Sequence, residues 1–237
     1  MKKAILSGVA ILAIGAGIWA AYDYLTDIGR KTTAPQFTSL AGSYDDGMLV
    51  RPGGQPVRVG FPPDYTYLGG QTFVLYGRMD VEQHIFVVPN TDGGVQSAGI
   101  VQIETVRPDV DWQYDYSNAP FTAQIGDFDF FADVYVGKRH PIYRNGRPGS
   151  DWNLALKFIK SNGFVIPSEY VFAHLVHLPT QDRREEILVS FFDDLAPTGY
   201  TFDDLKAGGA QADKEPDVTQ AHLTKFKDMF WIEHAPD

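Results

Sequence analysis

The chain contains no cysteine, and that single absence removes disulfides, thiolate nucleophiles, thiolate zinc sites and the lipid-modified cysteine of a bacterial lipoprotein. An oxidising compartment would find nothing to oxidise, which agrees with export without requiring it. Also missing are H-E-x-x-H, G-x-S-x-G, G-x-x-x-x-G-K-[ST] and S-x-x-K, the short patterns of zinc peptidases, serine hydrolases, phosphate-binding loops and acyl-serine enzymes. Their absence argues against an enzyme of a motif-bearing class. Basic residues are scarce: 20 Lys and Arg stand against 30 Asp and Glu, a net charge of −10. The basic pairs Lys138-Arg139 and Arg183-Arg184 are diluted by acids. Without a basic stripe to displace counterions from phosphates, nucleic acid is excluded as an expected partner and anionic lipid surfaces are disfavoured.

What the chain has in quantity is apolar residues, at 44%, and aromatic residues, at 14% of 237 positions. That is ample for one buried core and far from the composition of a disordered chain. The apolar residues begin at once. Lys2 and Lys3 precede a charge-free run over residues 4–21, about 27 Å as a helix and just long enough to span a membrane. Asp23 and Asp27 follow it, so the charge bias puts the N-terminus in the cytoplasm and the remainder outside. Ile18-Trp19-Ala20 is only a tolerable cleavage pattern, and an uncleaved anchor is the first expectation. With the Lys-Lys start and no Asn-x-Ser/Thr acceptor, the expected location is a bacterial inner membrane with the domain in the periplasm, or a periplasmic or secreted domain if the segment is cleaved.

The division that follows is 1–26 as signal anchor or signal peptide, 27–56 as an irregular tether rich in Gly, Pro, Ser and Thr, and 57–237 as one folded domain. Within that domain, strands are expected at 57–61, 71–76, 83–88 and 95–106, the last after the turn sequence Asn90-Thr91-Asp92-Gly93-Gly94. Residues 128–136 alternate cleanly, with Phe128, Phe130, Ala132, Val134 and Val136 on one face. Ser150, then Trp152, Ala155, Phe158 and Ile159, then Asn162-Gly163, read as N-cap, apolar stripe and C-cap of a helix. A second helix is expected over 217–233, opened by a capping box of Asp217 and Gln220. Residues 170–178 and 187–192 suit either helix or strand, and their Val, Phe and Ile content favours a hairpin. Thr201 is positioned to cap a short helix. The fold class is α+β: an antiparallel, curved sheet of about five to seven strands with two or three packed helices, preceded by the N-terminal hydrophobic helix.

Candidate site residues come from two places. The segment 107–124 is dense in acids and aromatics, with Asp111, Trp112, Tyr114, Asp115 and Tyr116, and exposed loops of this composition commonly bind ligands or partners. His84 and His174 lie in expected β segments, where a sheet could gather them. His174 and His177 are three apart, so on a strand they face opposite ways and cannot share a metal. Asp127, Asp129 and Asp133 lack the glycine and the closing glutamate of a calcium loop. Neither a metal nor a cofactor is therefore expected. Glu185, Glu186, Asp193 and Asp194 are read as solvated acids near strand ends.

Three functions remain. The first is a membrane-tethered or exported envelope domain that binds a protein partner or a small ligand through the 107–124 segment. Another is a periplasmic hydrolase in which the sheet gathers His84, His174, Asp129 and Asp193. The third is an apolar-ligand binder enclosed by a curved sheet around Phe130.

Overall fold

The computed structural model describes residues 31–51, 57–139 and 146–235. The expected N-terminal hydrophobic helix lies outside them. Among the described residues, no helix is long and apolar enough to cross a membrane.

The expected α+β class is what forms, as two antiparallel sheets. The larger has seven strands: β4 (Thr66–Leu75), β5 (Met79–Pro89), β6 (Val95–Val106), β7 (Phe121–Ile125), β8 (Phe128–Lys138), β9 (Glu169–His177) and β10 (Glu185–Asp194). Their spatial order is β4-β5-β6-β10-β9-β8-β7. The smaller sheet, in the order β1-β2-β3-β11, consists of β1 (Ser43–Asp45), β2 (Met48–Arg51), β3 (Val57–Gly60) and β11 (Trp231–His234). Three α-helices complete the described structure: α1 (Asp151–Ser161), α2 (Phe202–Leu205) and α3 (Glu215–Met229).

One face of the large sheet buries Phe86, Val101, Phe130, Ala173, Val189 and Phe191 beneath the small sheet and α3. The register explains how it packs. Phe86 and Phe191 both lie opposite Gly99 on β6, and a side chain at Gly99 would overlap the Phe61 ring. The missing side chain makes a slot, and Phe61 fills it, stacked 4.2 Å from Phe86 and 5.9 Å from Phe191. From the other side Phe226 of α3 stacks on Phe191 at 4.9 Å with the rings 10° apart. The opposite face of the sheet buries Ile85, Val87, Ala98 and Ile100 against Ala155, Leu156 and Ile159 of α1.

The helix α1 begins and ends where the sequence places it. Ser150 accepts a hydrogen bond from the Asn153 N–H at 3.1 Å, and Gly163 follows the cap with φ +89°, a conformation glycine adopts without steric cost. Thr201 caps α2 with a reciprocal bond to Asp204. Residues 169–177 and 185–194 pair as an antiparallel hairpin. Their periodicity is blurred because β10 is buried almost end to end on both faces, so nothing along it needs to alternate.

Four expectations change. The stretch read as a tether supplies β1 and β2, because Leu49 buries against Val59 and Ile232 in the core. The segment 107–124 ends in β7, which pairs with β8. Helix α3 starts at Glu215 with Pro216 in its first turn and without a side-chain cap; proline costs least there, since first-turn N–H groups have no intrahelical partner. The same helix stops at Met229, and Trp231 to His234 pair with β3. A strand wins because alternation buries Phe230 and Ile232 while Trp231 lies over Gly60, whose missing Cβ leaves room for the indole.

Candidate functional site

Strand order dictates where the chain must cross the sheet. Strand β6 is followed in sequence by β7, yet β10, β9 and β8 lie between them. The connection 107–120 therefore runs over three strands. It does so on the face that also carries α1, and these two coverings leave a cleft between them. The floor of that cleft is polar. Register places Gln71, Gln83 and Gln102 in one cross-strand row, sets Glu104 opposite Glu186, and puts His174 between Ser190 and Asp133.

The amides form a directed chain. Gln71 Nε2 donates to Gln83 Oε1 at 2.7 Å, Gln83 Nε2 donates to Gln102 Oε1, and Gln102 Nε2 donates to Glu104 Oε1 at 2.5 Å and to Asp151 Oδ2 at 3.1 Å. The crossing segment completes the network from above: the Tyr114 hydroxyl donates to Glu104 Oε2 at 2.8 Å and the Tyr116 hydroxyl to Glu186 Oε2 at 2.6 Å. Tyr116 also stacks on Phe131 of β8 at 5.7 Å. Asp151 is the first residue of α1, so the Ser150 cap that starts the helix also holds this carboxylate over the cleft.

Burial governs the electrostatics. It lifts the Glu104 carboxyl to about 7, with the Asp151 charge adding to the rise. Glu186 is pushed well above the usual carboxylate range by burial and then by Glu104. The phenols of Tyr114 and Tyr116 are raised for the same reason, reinforced by the carboxylates they serve. The His174 imidazole moves the other way: burial lowers it, and Asp151 and Asp133 oppose that only in part. His174 is thus held as the neutral ring near neutrality.

Two cavities open on this floor. The larger, about 380 Å³, is lined by Gln102, Asp133, Tyr135, Asp151, Trp152 and His174 among others. The smaller, about 260 Å³, lies under the crossing segment beside Asp115, Tyr116 and Phe131. Asp133 and His174 border both.

Of the sequence candidates, Tyr114, Asp115, Tyr116 and His174 come together here. Tyr114 is buried and Tyr116 half-buried, each with its hydroxyl turned inward to a glutamate of the network. Trp112 stays 40% exposed and packs edge-on against Tyr114 at 4.6 Å. Asp115 pairs with Arg183 at 3.3 Å, and Asp111 is exposed beside them. Arg184 pins the segment by donating to the carbonyls of Arg107, Val110 and Trp112 at 2.8, 3.0 and 3.1 Å. His84 does not join the cleft. It is wholly buried on the opposite face, bonded to the Tyr67 hydroxyl at 2.9 Å and to Glu82 at 2.8 Å. Asp193 also faces away from the cleft, paired with Lys225 of α3 at 2.5 Å. His84, His174, Asp129 and Asp193 therefore do not converge on one pocket, and Phe130 is core, 1% exposed and edge-on to Phe230. His177 leaves the cleft as strand alternation requires, its Nδ1 at 2.9 Å from the Asp129 carbonyl. Among the described residues no group of three His, Asp or Glu side chains is placed to hold a metal ion.

Sequence reading missed Gln83, Gln102, Glu104, Asp151 and Glu186 as site residues. Glu186 and Asp193, read as solvated, are 3% and 4% exposed. A trace was available in β6: Gln102 and Glu104 share the face of Ala98, Ile100 and Val106, polar residues where alternation calls for apolar ones. Such residues persist in a buried strand only when the fold supplies partners. No protein-family model, curated protein or solved structure matches the chain.

Proposed function

We propose that this chain is a ligand-binding domain that takes a small polar molecule into the cleft between α1 and the 107–120 crossing, and that residues 4–21 deliver it across a membrane as an anchored or exported envelope protein. The observation that carries the binding reading is the larger cavity. Its volume of about 380 Å³ falls in the range of small-molecule sites, and a few convergent polar groups beside aromatic walls are what such sites use to orient a ligand. The amide chain and the two tyrosine-to-glutamate bonds hold that floor in place before any ligand arrives, which reduces the ordering cost of binding. A protein partner would read a broad, flat patch, whereas the polar groups here converge inward. The buried acid Glu104 is a poor candidate for catalysis, because both its oxygens are engaged and it lies beneath Gln102 and Tyr114.

Ligand-observed NMR with a defined set of small sugars, amino acids, amines and nucleosides tests the binding reading. At least one compound is expected to bind saturably and to lose about tenfold in affinity, near 1.4 kcal/mol, in both His174→Gln and Asp133→Asn. Binding that neither substitution alters would overturn the assignment of this cleft.

The delivery part has its own measurement, the intact mass of the protein recovered from membrane and soluble fractions of its host. Full-length mass in the membrane fraction is the expected result. A soluble chain shortened by about 20 residues would replace the anchor with an export signal, and a full-length chain confined to the soluble fraction would remove both.

A further inference from the structure

Among the described residues, only one carboxylate of the cleft has a basic ion-pair partner: Asp115, which pairs with Arg183 at its outer edge. No Lys or Arg among the described residues makes an ion pair with Glu104, Asp133, Asp151 or Glu186, whereas Asp80, Glu169, Asp193, Asp203 and Glu233 elsewhere all have one. Arg147, four residues before Asp151, is exposed and pairs with none of the four. Nor does His174 offset the charge, since burial keeps its ring neutral. Asp151 lines the larger cavity together with Asp133, accepts from Gln102 at 3.1 Å, and its charge bears on Glu104, Tyr116, Tyr135, His174 and Glu186.

The wall beside it is aromatic. Trp152 meets Phe172 edge-on, with centroids 5.0 Å apart and planes at 77°, and Tyr135 lies 5.4 Å from Phe172 at 39°. All three rings line the larger cavity together with Asp133 and Asp151. Differently inclined ring faces beside paired carboxylates attract a cation twice over, through the ring quadrupoles and through charge. They repel an anion. A neutral ligand would forgo both attractions.

We propose that the larger cavity binds a small organic cation, its ammonium group seated between the carboxylates of Asp133 and Asp151 and against the rings of Tyr135, Trp152 and Phe172. Gln83, Gln102 and Ser190, which line the same cavity, then serve the polar remainder of the ligand. The net charge of −10 on the whole chain favours arrival of such a ligand at low ionic strength. This proposal rests on the ligand-binding reading of the cleft and names the chemistry of the ligand.

The test is isothermal titration of the full-length chain with choline, with ethanolamine, with the uncharged carbon isostere of choline, and with calcium chloride. Choline or ethanolamine is expected to bind, the isostere to bind about tenfold more weakly or not at all, and added salt to weaken the cation. Asp133→Asn and Tyr135→Ala, both at half-open positions that leave the core intact, are each expected to reduce cation binding by about tenfold. Equal binding of choline and its isostere, or binding of calcium alone, would overturn the proposal. If neither cation binds while a neutral sugar or nucleoside from the NMR set does so in a His174-dependent way, the cation inference falls and the binding function stands. If nothing binds, both fall together.

Discussion

Replacing Phe191 by alanine is expected to lower the unfolding free energy by about 3–5 kcal/mol, a large share of the ~5–15 kcal/mol available to a domain. Phe191 is fully buried on β10 near the middle of the large sheet. Its ring joins the large sheet to α3 and to the chain leaving the small sheet: Phe226 of α3 at 4.9 Å, Phe230 at the end of that helix at 5.4 Å, and Phe61 just after β3 at 5.9 Å. Truncation opens a cavity that cannot collapse from the sheet side, because Gly99 and Ala173, its register neighbours, have little or no side chain to move into it. Phe191→Leu keeps most of the volume and is expected to cost clearly less. Urea unfolding of both variants, with the slope checked for two-state behaviour, measures this. A loss below about 1 kcal/mol for the alanine variant would mean that Phe191 does not tie the small sheet and α3 to the large sheet.

Glu104→Gln is expected to stabilise the protein at pH 8 by roughly 2–3 kcal/mol and to have little effect near pH 5. Glu104 titrates at about 7 in the folded chain, against 4.5 for the free side chain. A raised carboxyl holds its proton in the native state and releases it on unfolding across that interval. Stability therefore falls as pH rises through the window, and is fully present only on its acid side. Glu186, shifted in the same direction, adds to the slope. His174 has the opposite sign: its lowered value makes the native state bind fewer protons than the unfolded chain below about 6.5, so its contribution is lost as pH falls. His174 is the same in parent and variant, so the difference between their profiles isolates Glu104, and most of it develops between about pH 5 and 7. Glutamine preserves the network, since its carbonyl accepts from Gln102 and its amide donates to the Tyr114 hydroxyl, which can accept. Unfolding midpoints at pH 5, 6.5 and 8 decide the matter. Parallel profiles for parent and variant would show that Glu104 is ionised throughout.

The parts of this fold visible in the sequence are those whose determinants are local. Ser150 and Gly163 mark α1 because capping is decided within a few residues. The faces of β8 are readable because one side meets the core and the other does not. A strand was expected at residues 95–106, and β6 (Val95–Val106) occupies those positions. Legibility fails where a long-range partner decides. Trp231 to His234 continue a helical pattern and become a strand because β3 offers a free edge. The candidate site was half legible: aromatic density marked Tyr114 and Tyr116, yet exposure was expected where two buried glutamates accept their hydroxyls.

Composition and pattern by themselves pointed to an α+β chain with antiparallel strands and, once 170–178 is a strand, to His174 and His177 facing opposite ways, because residue alternation and turn signals act over a few neighbouring positions. Only the tertiary structure decided that β6 lies beside β10, and from that one adjacency the rest of the site follows. It sends residues 107–120 across three strands and sets Glu104 opposite Glu186, in a site where Asp151 shares a cavity with residues of five strands. Strand order fixes which distant side chains share a face and are shut away from water together, and no local pattern carries that information.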